Sequence, residues 1–205
     1  HVEYSVEESP LGTAGSVKNA EERLDEPFIV ISGDALTDFN LQAIIDFHTE
    51  RQAMATLTLY QVPNPLEYGV VILDEQNRVS RFLEKPSWGE VFSDTVNTGI
   101  YVLDPSIFRY VPSGKSVDWS NDVFPLLLRN GDPMYGFVSK GYWCDVGSLQ
   151  EYVRANGDML QEIVNLPMPG ETSAVVTTID GYQMARRGRA GPARSEEHTS
   201  ELQSH

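Results

Sequence analysis

The chain has 205 residues, 40% hydrophobic and 22% charged, with 30 acidic against 15 basic residues for a formal charge of -15. That is one ordinary domain with enough apolar residues for a core, and the acidic excess repels polyanions and argues against nucleic acid as a partner. A single cysteine, Cys144, excludes a disulfide framework and a cysteine-rich zinc site and fits a reducing, cytoplasmic setting; no apolar run reaches the ~20 residues of a membrane helix, and no signal peptide is visible.

In chain order, residues 1–4 read as a short extended piece, and a start at His1 rather than Met leads us to expect a chain cut from something longer. Pro10 and Gly12 make a turn, Thr13 is a candidate N-cap, and residues 14–24 favour a helix that Pro27 stops. "FIVIS", residues 28–32, is a continuous apolar run closed by Gly33 and Asp34, the pattern of a buried strand. Residues 41–52 predict a helix capped by Asn40, with Leu41, Ile44, Ile45 and His48 on one face. Residues 54–62 alternate as a strand, so strand, helix, strand points to a βαβ crossover in an α/β fold with a mostly parallel sheet. Residues 69–73 and 79–83 flank "DEQN" as a hairpin, and 96–103 is a strand ending at Asp104-Pro105. A helix over 119–130 is entered through Asp118 or Ser120 and closed by Gly131. Strands follow at 134–139 and 141–144, then a helix from Gly147-Ser148 to about residue 163. The expected organisation is a folded domain over 1–165, a linker over 166–185 and a disordered tail over 186–205. The last stretch, 194–205, is similar to the translation of a common sequencing adapter.

Polar residues gather where strands run out. In "SGD", Gly33 lets backbone approach a ligand and Asp34 is a candidate oxygen ligand for Mg2+; the plainer account is a turn residue. In "FLEKP", Glu84 can accept from sugar hydroxyls and Lys85 can hold a phosphate; the plainer account is a surface ion pair. "NTG" supplies Asn97, Thr98 and Gly99, small hydrogen-bonding residues beside a strand. Asp145 in "YWCDVGS" can complete a metal site with Asp34, or simply sit near a helix N-terminus. "SPLGTAG", residues 9–15, can grip a flat base or merely start a helix. His48, on an apolar helix face, is read as a core histidine rather than a catalyst. No Walker-type loop and no Gly-x-Gly-x-x-Gly fingerprint occurs.

Taken together, "EESPLGTAGSVKNA", "FIVISGDALTD", the long stretch from "VPNPLEYG" to "VLDP", "VDWSNDVFPLLL" and "GYWCDVGSLQEY" resemble the sugar-1-phosphate nucleotidyltransferase family, with the nearest look to bacterial mannose-1-phosphate guanylyltransferases. The resemblance runs over roughly residues 3 to 165. It implies a doubly wound, Rossmann-like, glycosyltransferase-A-like core with inserted antiparallel strands, incomplete at its N-terminus because the family's opening Gly-rich loop has no counterpart here. It implies transfer of a nucleotide from a nucleoside triphosphate, GTP in the nearest subgroup, to a sugar 1-phosphate, there mannose 1-phosphate, with release of pyrophosphate. By the same resemblance Pro10 and Gly12 lie against the base, Asp34 and Asp145 hold Mg2+, and Tyr68 and Gly69 border the sugar. Glu84 binds sugar hydroxyls, Lys85 binds the sugar phosphate, and Asn97, Thr98 and Gly99 complete the pocket. The implied partners are small molecules, not nucleic acid or membrane, and self-assembly of a longer protein stays open. Adenylyl-, uridylyl- and thymidylyltransferases of glucose 1-phosphate would keep the same roles. A non-catalytic sugar-nucleotide sensor is the rival from another class, and a fragment lacking the opening loop is expected to be inactive or nearly so.

Overall fold

A computed structural model describes residues 1–84, 93–167, 171–179 and 182–190, with Glu84 and the last two stretches described as backbone. The chain divides into two units, His1–Gly147 and Ser148–His205. In the first, helix α1 (Gly12–Lys18) leads to β1 (Phe28–Ile31), β2 (Ala35–Thr37), α2 (Leu41–Arg51) and β3 (Ala55–Gln61). There follow β4 (Gly69–Leu73), β5 (Val79–Glu84), β6 (Thr95–Leu103), α3 (Phe124–Asn130), β7 (Met134–Val138) and β8 (Trp143–Asp145).

Local chemistry sets most of these boundaries. Asn40 caps α2, its Oδ1 accepting from the Ala43 N–H at 3.1 Å. The β4–β5 turn is closed by Asp74, whose Oδ1 accepts from the Gln76 and Arg78 N–H groups at 2.9 and 2.8 Å. The helix expected over 119–130 is divided. A wide turn over Trp119–Val123, capped by Asp118, precedes α3. Pro125 has no N–H to give the carbonyl four residues back, so the first turn opens rather than closing tightly. The helix expected over 14–24 is also shorter. It stops at Lys18, and Glu21–Arg23 forms a separate 3-10 turn. Thr13 does not cap it, because its hydroxyl points to Asp118.

The main sheet runs β5-β4-β6-β3-β7, with β1 also pairing β6. Within the expected α/β class it is mixed: β3 and β7 are parallel, while β1–β6, β3–β6, β4–β5 and β4–β6 are antiparallel. β3 lies along one edge of β6. β1 pairs residues 100–103 of β6, and β4 pairs it at Val96. Since β3 occupies one edge throughout, β1 and β4 share the other edge end to end, and residues 97–99 lie at the hand-over. Both faces of the sheet are covered, which is why β3 is buried from Ala55 to Leu59 without alternation. One face packs Leu57, Leu59 and Val71 against Ala14, Trp119, Phe124 and Leu127. The other packs Val70, Val96 and Ile100 against Phe39, Ile44 and Trp143. A separate ribbon pairs β2 with β8, antiparallel.

In the second unit, α4 (Leu149–Leu160) is capped by Ser148, whose Oγ accepts from the Glu151 N–H at 3.1 Å. β9 (Glu171–Ile179) and β10 (Tyr182–Ala190) form an antiparallel hairpin, in register from Glu171 opposite Ala190 to Ile179 opposite Tyr182. The hairpin covers residues that the sequence reading gives to the linker and the start of the tail. Residues 191–205 lie outside the described residues. Among the described residues no helix is long and apolar enough to cross a membrane.

Candidate functional site

The hand-over on β6 carries Asn97, Thr98 and Gly99, with Asp34 just past the end of β1 and Gly69 at the start of β4. β1 ends at Ile31, opposite Ile100, and the chain turns away through Ser32, Gly33 and Asp34. β4 begins at Gly69, one residue before the Val70–Val96 pair. Between them, among the described residues, no strand pairs residues 97–99 of β6 on that edge. Gly99 makes the junction fit: its φ is +74°, and a Cβ there would stand 2.6 Å from the Ser32 Oγ. The Ser32 N–H donates to the Gly99 carbonyl at 3.1 Å, tying the two segments together.

Asp34 and Asp145, 111 positions apart in sequence, are brought to adjacent backbone positions by the ribbon and not by the ends of parallel strands. Ala35 pairs with Asp145, and the Val146 N–H donates to the Asp34 carbonyl at 2.9 Å, so the two aspartates occupy neighbouring positions. Asp34 is exposed and Asp145 half-buried. The turn at Asp34 is closed by backbone, from the Ala35 N–H to the Ser32 carbonyl at 3.1 Å. The Asp145 carboxylate lies over Gly147, whose missing Cβ would sit 3.6 Å from its Oδ1. The ribbon is fastened at its other end by Asp38, which accepts from the Tyr142 N–H at 2.7 Å, and by Thr37, which donates to the Tyr142 carbonyl at 2.9 Å. Two carboxylate donors suit a hard cation that takes its remaining oxygens from water or phosphate. Among the described residues no group of three or more His, Cys, Asp or Glu converges as a self-sufficient cage.

The other predicted residues take distinct places. Asn97 is wholly engaged: its Oδ1 accepts from the Gly99 N–H at 3.2 Å, and its Nδ2 donates to Tyr101 Oη at 2.9 Å and Ser120 Oγ at 3.4 Å. Thr98 is 3% exposed, and its hydroxyl donates to the Thr58 carbonyl at 2.8 Å, so its side chain holds strands together. Tyr68 is half-buried against Trp143, ring centroids 5.4 Å apart, and Gly69 is buried at the start of β4. Glu84 is opposite Gly69 by backbone register; its side chain, and all of Lys85, lie outside the described residues. Pro10 is exposed. Gly12 has φ +71° and a Cβ position 2.6 Å from the Val117 carbonyl oxygen, so it presses backbone on backbone.

Three residues that the sequence reading passed over hold this arrangement. Trp143 donates its ring N–H to the Thr98 carbonyl at 3.1 Å, so the strand that carries Asp145 is anchored to β6. Ser32 underlies Gly99 and Asp38 locks the ribbon. Their signal in sequence is adjacency to Asp34 and Asp145, but nothing local says what they touch. His48 belongs elsewhere. It is 3% exposed, and its Nδ1 meets Thr56 Oγ1 at 3.0 Å. Burial pushes its pKa below the ordinary value, with Asp104 pulling the other way. A pocket of about 430 Å³ at that end is lined by His48, Gln52, Met54, Asp104 and Pro133 among others, and by none of the predicted site residues.

Residues 1–162 match the model of the family described as Nucleotidyl transferase. A UTP–glucose-1-phosphate uridylyltransferase of Synechocystis sp. is 38% identical over 166 residues, covering 78% of this chain and 43% of that protein. A mannose-1-phosphate guanylyltransferase of Mycobacterium tuberculosis is 37% identical over 168 residues, 81% of this chain and 46% of that protein. The chain thus spans less than half the length of these relatives. Among solved structures, HddC from Yersinia pseudotuberculosis matches with a TM-score of 0.64 at 27% identity, covering 75% of this chain and 64% of that one.

Proposed function

We infer that, since this chain belongs to the nucleotidyl transferase family, the protein it comes from joins a sugar 1-phosphate to a nucleoside triphosphate and releases pyrophosphate, with mannose 1-phosphate and GTP as its pair. The reading is supported by one observation above the others: the β2–β8 ribbon brings the backbone of Asp34 and of Asp145 to adjacent positions. Asp34 and Asp145 are the residues that would hold Mg2+, which when bound neutralises and orients triphosphate oxygens. In the reaction an oxygen of the sugar phosphate attacks the α-phosphorus, and the bond to the pyrophosphate oxygen breaks. That oxygen is already ionised near neutral pH, so no protein general base is needed, in keeping with a histidine buried elsewhere.

The remaining roles follow the same logic. Lys85 would meet the sugar phosphate as a compact charge, and Glu84 would accept from sugar hydroxyls. Tyr68 and Gly69 would border the sugar beside Asn97, Thr98 and Gly99, with Thr98 contributing through its hold on the strand floor. Pro10 and Gly12 would lie against the base. Similarity to the guanylyltransferase supports mannose 1-phosphate and GTP. Similarity of the same size to the uridylyltransferase supports glucose 1-phosphate and UTP as the second reading. Retention of both aspartates argues against a non-catalytic sensor. A panel of sugar phosphates against triphosphates, read by pyrophosphate release from the intact protein, tests this. The highest kcat/KM is expected for mannose 1-phosphate with GTP, and about tenfold preference for another pair, ~1.4 kcal/mol, overturns that choice.

A further inference from the structure

The cavity of about 430 Å³ beside His48 serves none of the roles assigned above. It lies at the end of the main sheet where β3 starts and β6 stops, and its volume is in the range of small-molecule sites. Pro27, Met54 and Pro133 supply apolar walls. His48 and Gln52, at the end of α2, and Asp104, just past β6, supply polar groups.

Two of these groups keep unused hydrogen-bonding capacity. His48 is 3% exposed, and its Nδ1 meets Thr56 Oγ1 at 3.0 Å; among the described residues nothing hydrogen-bonds its Nε2. Thr56 does not line the cavity, so the ring gives Nδ1 to β3 and keeps its Nε2 edge for the cavity. Burial holds the ring neutral, and with the Nδ1 proton donated to Thr56, Nε2 is an acceptor. Asp104 is half-buried. Its Oδ1 accepts from the Ser106 N–H at 2.9 Å, and among the described residues nothing hydrogen-bonds Oδ2. Buried acceptors without partners are rare in folded proteins, and here two of them border one space.

The field in that space has one sign. α2 ends at the cavity, so the negative end of its dipole faces it, and the Asp104 carboxylate adds a full charge. No lysine or arginine is on its wall. Arg109, which reaches Met54 Sδ at 3.7 Å, is spent on Asp132. An anion would be repelled, and a neutral apolar guest would leave both acceptors unmet. A cationic donor with an apolar body meets every wall.

We propose that this cavity binds a diffusible alkylammonium ion, a primary amine on a short hydrocarbon body. Its ammonium donates to Asp104 Oδ2 and His48 Nε2, and its carbon chain lies against Pro27, Met54 and Pro133. The site is separate from the nucleotidyltransferase reading, because binding is measured without sugar phosphate or triphosphate. The test titrates the intact protein with n-butylammonium, and with n-butanol and butyrate as neutral and anionic mimics of the same shape. Calorimetry should give saturable binding of n-butylammonium with a Kd on the order of 1 mM, and at least about tenfold weaker binding of both mimics. Asp104→Asn keeps an oxygen for the Ser106 N–H and removes the charge; it should weaken n-butylammonium about tenfold. Ser106→Trp fills the cavity from an exposed position without altering either acceptor, and should abolish binding. It decides the matter if Asp104→Asn does not fold. Equal affinity for n-butanol, preference for butyrate, or undiminished binding in a folded variant overturns the proposal. So does the absence of saturation at roughly ten times the expected Kd. Tighter binding of Nα-acetyl-lysine amide than of n-butylammonium would assign the same chemistry to a lysine of a partner chain and overturn the choice of a diffusible ligand.

Discussion

The two ends of the main sheet are built differently. At the end where β3 starts and β6 stops, backbone closes on backbone: the Met54 N–H donates to the Pro133 carbonyl at 2.8 Å and the Asp104 N–H to the Met54 carbonyl at 2.9 Å. Arg109 and Tyr110 both reach Asp132, at 2.7 and 2.5 Å. His48 is buried there, its Nδ1 on Thr56 Oγ1. At the other end β6 loses a strand neighbour over three residues, a glycine in a left-handed conformation fills the gap, and carboxylates stand at the surface. The first end is closed by backbone and side-chain bonds between neighbouring segments. The second sets an exposed and a half-buried carboxylate near a break in strand pairing, the kind of place where open α/β sheets bind ligands.

The sharpest way to break this contrast is to neutralise the aspartates. In the intact protein Asp34→Asn and Asp145→Asn should each lower kcat/KM by roughly 10²-fold or more, with the double variant little worse than either, while thermal stability barely moves. Two additive losses, or wild-type rates, would make both carboxylates scaffold and favour the sensor reading. A smaller effect is expected from Gly99→Ala. The residue must keep φ near +74°, and its Cβ must displace the Ser32 side chain, so urea denaturation should report a loss of about 1–2 kcal/mol. A neutral outcome would mean that the hand-over is softer than its geometry indicates.

The smallest effect belongs to the closed end and depends on pH. Burial holds His48 neutral in the folded chain, so its folded pKa lies below the unfolded value of about 6.5. The unfolded state therefore binds more protons, and stability is lost as pH falls through that unfolded pKa toward the folded one. His48→Gln should flatten this part of the stability–pH curve, measured by denaturation between about pH 7 and pH 5, and leave turnover unaffected. An unchanged slope would assign the acid sensitivity to other groups.

Much of the framework was legible from residues alone. The apolar run before Gly33-Asp34, the cap at Asn40, the turn at Asp74 and the stop at Gly131 are local effects, readable wherever backbone conformation follows from one or two side chains. The misjudged boundaries have equally local causes that compete with one another. Pro125 opened a turn inside one expected helix, and Thr13 gave its hydroxyl to a distant carboxylate instead of to its own helix.

The site divides along the same line. Sequence alone selected Asp34 and Asp145 as carboxylates at the ends of apolar stretches and Gly99 as a small residue beside a strand, because residue type and flanking pattern carry that much. Only the tertiary structure decided that the backbone of Asp34 lies beside that of Asp145 in a two-stranded ribbon, that Thr98 faces the interior, and that Trp143 ties the ribbon to the sheet. These are contacts between residues some 40 to 110 positions apart. Hydrogen bonding between strands depends on which edges come together, and in this sheet that is fixed by packing on both faces of β6, not by any short stretch of the chain.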